Sequence, residues 1–75
     1  MKQKNGEIQL LEVVALKDDL PGTALVQGQV GTVVEVVAPD VYEVEFVDDE
    51  GNTYAEASLS RDQLLVLHYS PAQAA

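Results

Sequence analysis

Residues 28–46, GQVGTVVEVVAPDVYEVEF, leave little choice of fold. Thr32 to Val37 is a run of β-branched residues interrupted only by Glu35, a composition that suits a pleated surface. Ala38-Pro39-Asp40 supplies turn chemistry, because proline presets φ and aspartate tolerates tight backbone. Tyr42, Val44 and Phe46 then alternate with Glu43 and Glu45, the period of two of a half-buried strand. Two strands folded back on each other are expected at 31–37 and 41–47. Valines on both sides of Glu35 break the alternation, so a twisted or bulged strand is expected there.

The rest of the chain reads as strands packed around this hairpin. Residues 8–16 combine Ile8, Leu10, Leu11, Val13, Val14 and Leu16 with few polar positions, as in a strand covered on both faces or one that bends from one sheet to another. A short helix through Leu10, Val13, Val14 and Lys17 has the same length; the β-branched pair favours the strand. Residues 18–29 form a long connection, which Leu25 and Val26 are expected to pin to the core. Asp48-Asp49-Glu50-Gly51 reads as a tight turn with Gly51 at positive φ. In the strand expected at 52–59, Ala55, Ala57 and Leu59 face inward while Tyr54, Glu56 and Ser58 face outward. Ser60 followed three residues later by Gln63 marks a single helical turn. A last short strand is expected at 64–68. The fold class is therefore all-β: a small five-stranded SH3-like barrel with one 3-10 turn before the last strand, its two small sheets closing on one another. The domain is expected over 8–69, with flexible ends at 1–7 and 70–75.

Seventy-five residues allow one domain, and one this small buries only about 60% of the surface of its unfolded chain. It has no cysteine, so neither a disulfide nor a thiolate metal site can staple it. No apolar run approaches the roughly 20 residues of a membrane span. Lys2 and Lys4 resemble the charged start of a signal peptide, yet Glu12 and Lys17 interrupt the apolar stretch that would have to follow. These features read as a cytoplasmic protein. The net charge is −9, and from Asp18 to Ser60 there are ten acids and no Lys or Arg. Such a surface repels nucleic-acid phosphates and anionic membranes and favours a basic partner, besides keeping a small β-protein soluble.

Five blocks recur in order: residues 11–16 (LEVVAL), 19–21 (DLP), 28–35 (GQVGTVVE), 42–46 (YEVEF) and 62–64 (DQL). They resemble domain-of-unknown-function family 4926, a family of small bacterial proteins frequent in cyanobacteria. The resemblance spans about residues 8–69. It implies a short stand-alone protein with an SH3-like fold and brings no catalytic motif. Residues 29–36 (QVGTVVEV) also look like the glycine-hydrophobic motif of ribosomal and transcription-factor barrels. Those barrels are generally basic around the motif and this chain is not, so the likeness is read as shared barrel geometry.

The residues that could carry chemistry point to none. Glu43 and Glu45 lie about 7 Å apart along one strand face, without the contrasting environments that split an acid from a base. His68 is the only histidine, and no serine sits in a nucleophile-like turn. Asp48-Asp49-Glu50-Gly51-Asn52 lacks the spacing of a calcium loop, and Gly28-Gln29-Val30-Gly31 lacks the lysine of a phosphate loop. Neither a catalytic residue, a metal site nor a cofactor is expected.

One set of residues has the composition of an interface. If the strands flanking Asp48–Gly51 pair with Glu45 near Tyr54 and Glu43 near Glu56, then Glu43, Glu45, Tyr54 and Glu56 share one outward face. An aromatic among carboxylates suits a basic protein partner; the alternative is that Tyr54 simply covers an edge of the barrel. The expectation is a non-enzymatic, acidic protein-binding module, antitoxin- or immunity-like. The alternative is an accessory subunit whose barrel packs against an enzyme. A nucleic-acid reader is disfavoured by charge. The oligomeric state is left open.

Overall fold

The period-two alternation of residues 41–47 sets the centre of the architecture. In a computed structural model, which describes residues 8–71, five antiparallel strands form one continuous sheet. They are β1 (Val13–Leu16), β2 (Val30–Ala38), β3 (Val41–Val47), β4 (Thr53–Ser60) and β5 (Leu64–Val66). A 3-10 turn, Arg61–Gln63, precedes β5. The sheet order is β4-β3-β2-β1-β5. This is the small five-stranded SH3-like barrel expected from the sequence, and β2 is the strand shared between its halves. Residues 30–32 of β2 pair with β1, and residues 32–38 pair with β3.

Tyr42, Val44 and Phe46 all point into the core, where Val14, Val33 and Leu59 meet them with essentially no exposure. Glu43 and Glu45 occupy the opposite face. Ala55 and Ala57 are half-buried against the same core. The irregularity expected around Glu35 takes the form of two bulges in β2, at Val33/Glu35 and at Val36/Ala38. Pro39 and Asp40 make the turn after β2, with Asp40 at φ 60.

Three expectations need correction. The first strand does not run over 8–16 but begins at Val13. The Gln9 N–H donates to the Glu12 carboxylate at 2.8 Å, the Glu12 N–H donates to the Gln9 carbonyl at 3.1 Å, and Leu11 takes φ 70. That turn folds Ile8 back into the core and leaves Leu10 and Leu11 exposed. In the long connection Leu25 is buried as expected, whereas Val26 faces solvent. The last strand ends at Val66 rather than His68, although the Leu67 N–H still donates to the Val13 carbonyl. Of the flexible ends expected at 1–7 and 70–75, residues 1–7 and 72–75 lie outside the described residues.

The turn before β5 follows its sequence signal. Gln63 reaches back so that its Oε1 accepts the Ser60 N–H at 2.8 Å. In this way the short connection carries the chain from one edge of the sheet to the other.

Candidate functional site

The register of β3 with β4 decides which outward side chains meet. Glu45 stands opposite Glu56 and Glu43 opposite Ser58. The expected pairing, Glu45 with Tyr54 and Glu43 with Glu56, is therefore displaced by two residues. One residue of the shift arises at the turn, where Val47 stands opposite Thr53 instead of Asn52, and the other from a bulge: Phe46 then pairs with Ala55, so Tyr54 is the extra residue. The bulge keeps inward residues opposite inward residues, as a one-sided core requires.

The bulge also removes Tyr54 from the acidic row. Its ring lies 6.4 Å from that of Phe46, on the core side, and its hydroxyl accepts a hydrogen bond from Gln29 Nε2 at 3.0 Å. Tyr54 thus covers the end of the barrel. Of the four residues expected to form one patch, Glu43, Glu45 and Glu56 come together and Tyr54 does not.

Glu35 completes the row, which sequence reasoning missed. It pairs directly with Glu43 across β2 and β3, because the bulge at Val34 turns it to the same face. Two like-charge pairs therefore adjoin on one sheet face, Glu35 with Glu43 and Glu45 with Glu56. Like charges directly opposite each other destabilise a sheet by a few tenths of a kcal/mol to about 1 kcal/mol per pair. Two carboxylates are held in place by hydroxyls: Ser58 donates to Glu43 Oε1 and Thr53 to Glu45 Oε2, each at 2.7 Å. Among the described residues the cations are Lys17 and Arg61, and Arg61 pairs with Asp40 at 3.5 Å.

A second exposed set is apolar. Val34, Val36 and Val37 of β2 all show more than a third of their surface, as do Leu10 and Leu11. The Leu11 N–H donates to the Val33 carbonyl at 2.7 Å, so the two groups adjoin. Among the described residues no group of three or more His, Asp or Glu side chains could hold a metal ion. No helix among them is long and apolar enough to cross a membrane.

At the far end of β3 the Asp48 carboxylate accepts the N–H groups of Asn52 and Glu50, each at 2.9 Å. These bonds, Asn52 first, hold its pKa below the ordinary 3.8. A depressed carboxylate contributes stability above its unfolded pKa, and that contribution is lost as pH falls through the folded value. The Asp48 carboxyl carbon should therefore titrate with a midpoint below 3.8 by NMR. A midpoint at or above 3.8 would show that the two N–H bonds do not form in solution.

Fold and surface together define an acidic SH3-like barrel with a row of carboxylates on its outward sheet face. The chain matches the family model of the domain of unknown function DUF4926 over residues 10–66, and it belongs to that family. Comparisons with curated proteins and with solved structures find no match.

Proposed function

We propose that this chain is a non-enzymatic protein-binding module that docks a basic protein on the outward face of β2, β3 and β4, as an antitoxin or immunity protein does. One observation carries the reading. Glu35, Glu43, Glu45 and Glu56 form two like-charge pairs on a single face, with Ser58 and Thr53 fixing two of the carboxylates. Bringing Lys or Arg side chains onto that face relieves the repulsion, so binding recovers stability that the free sheet forgoes. The same charge repels phosphate backbones, and DNA or RNA should not be retained at physiological salt. A gel shift that survives competitor would reverse that exclusion.

The test is the association rate with the protein that co-purifies with the full chain. Raising ionic strength from about 0.05 M to about 0.5 M should slow association roughly tenfold or more, because screening removes electrostatic steering. Glu43→Lys should slow it comparably, and Asp18→Lys in the first loop should not. Asp18 is the right control, since the neighbouring Asp19 carboxylate holds the Gln27 N–H at 2.9 Å. Loss of binding on Asp18→Lys with none on Glu43→Lys would move the interface to that loop.

A second reading, an accessory subunit packed against an enzyme, draws on Val34, Val36, Val37, Leu10 and Leu11. Exposed apolar patches of this kind mark packing surfaces. It predicts a complex that tolerates salt and is lost on Val36→Asp.

A further inference from the structure

The acidic row ends at an open strand edge. β4 is the terminal strand beyond β3 in the sheet order, eight residues long, with neither Lys nor Pro along it. Those are two of the residues that commonly protect such edges. The direction of its backbone groups follows from the ladder. The Val33 N–H donates to the Glu12 carbonyl and the Val33 carbonyl accepts from Leu11, so Val33 turns both groups away from β3. Its partner Val44 must then turn its own toward β4, and Glu43 and Glu45 must turn theirs toward β2. Opposite Glu43 and Glu45 stand Ser58 and Glu56, whose N–H and C=O groups consequently point out of the sheet. Ser60, next in the same series, fits this pattern, because its N–H is met by the Gln63 side chain and not by β3. Among the described residues no backbone bond reaches the outer edge at Glu56 or Ser58.

We infer that this edge takes an extended cationic segment of the partner as a sixth strand, antiparallel to β4, with Lys or Arg on the carboxylate face and apolar residues on the core face. The inference rests on the acidic-face reading and specifies how that face is used. The residue opposite Glu56 shares the face of Glu56, Glu45 and Glu43, so a cation there stands beside Glu56 and on the face of the whole carboxylate row. The residues opposite Ala55 and Ala57 share the core face, where those small, half-buried side chains leave room beside the apolar cluster. A second copy of this chain is a poor occupant, because it has no Lys or Arg between Asp18 and Ser60 and its own β4 would set Glu56 against the same row. Strand addition draws affinity from main-chain hydrogen bonds and specificity from alternate side chains, and this edge offers both.

The probe is a synthetic peptide of alternating lysine and valine, of about six residues as in an ordinary strand. In the proposed pairing the lysine N–H groups bond to Glu56 and Ser58, and the valine N–H groups point away. At peptide concentrations about tenfold above its Kd, amide exchange at Glu56 and Ser58 of the full chain should slow about tenfold. N-methylation of the lysines, which keeps their charge, should abolish both binding and slowing. N-methylation of the valines should leave both in place. Salt-sensitive binding without slowing at these two amides, equally good for the N-methyl-lysine peptide, would overturn the strand and leave the acidic face standing. No binding of any peptide would overturn it as well, with the acidic face then judged by the partner's own salt dependence. Amides at Glu56 and Ser58 that already exchange slowly in the free chain would mean that the edge is already covered, and would also end the proposal.

Discussion

Phe46→Ala should lower the thermal midpoint of this protein by roughly 12–40 °C. Phe46 is fully buried, between Gly31 of β2 and the ring of Tyr54. It is the only phenylalanine, and it shares the core with one other buried aromatic, Tyr42. Truncating a buried phenylalanine costs about 3–5 kcal/mol, and a domain of this size loses about 4–8 °C per kcal/mol. The whole stability of a 75-residue chain is about 4–11 kcal/mol at typical per-residue values. The variant therefore sits close to unfolding at ordinary temperatures. Differential scanning calorimetry measures the shift directly, and a midpoint within a few degrees of the parent would show that Phe46 is not central. The far end of the barrel should loosen with it, because Tyr54 and its bond to Gln29 lean on that ring.

The β2–β3 hairpin was legible because its information is local. Strict alternation from Tyr42 to Phe46 states which face is buried, and a slip of one residue would expose all of it. Turn residues after Ala38 and at Gly51 bounded the strands for the same reason. Residues 9–12 were not legible. Their turn depends on the Glu12 carboxylate reaching the Gln9 N–H and on a leucine at positive φ, a conformation that leucine rarely adopts and never advertises. The candidate site was readable in part. Glu43, Glu45 and Glu56 were marked by alternation, but which of them stand opposite each other depends on the bulge at Tyr54, and that arises from matching two strands. Glu35 was hidden by a second bulge. Without the bulge at Val34 the alternation from Val33 would place Glu35 on the core face, whereas the structure sets it beside Glu43. Bulges are where local pattern yields to register, and two of the three here lie at the carboxylate row.

Gly31→Ala should be comparably damaging, for a reason that involves space and not backbone freedom. Gly31 is an ordinary extended residue in β2, yet a Cβ there would lie 2.6 Å from Val44 Cγ1, 2.9 Å from the Glu45 carbonyl oxygen and 3.0 Å from Phe46 Cδ2. Val44 and Phe46 are fully buried and cannot swing aside, and the carbonyl belongs to the strand itself. The added methyl must push β2 and β3 apart where Thr32 pairs with Glu45. Overpacking of this kind costs about 1–3 kcal/mol and occasionally more, and a fixed backbone obstacle places this site at or above the upper end. Gly28 and Gly51 provide the contrast: both have positive φ and open space around them, so alanine there costs about 1–2 kcal/mol of backbone strain alone. Urea denaturation of the three variants should therefore rank Gly31→Ala as the most destabilised. Combining it with Val44→Ala should give less than the sum of the two single losses, by about 0.5–3 kcal/mol, because the second change removes the nearest obstruction. Additive losses would mean that the crowding at Val44 is not the cause. Gly31 lies where β2 passes from β1 to β3, so the close approach falls where the strand changes partners. Glu45, whose carbonyl is the backbone obstacle, is also one of the four carboxylates, and a variant that survives folding should associate more slowly with a basic partner than its residual stability alone would suggest.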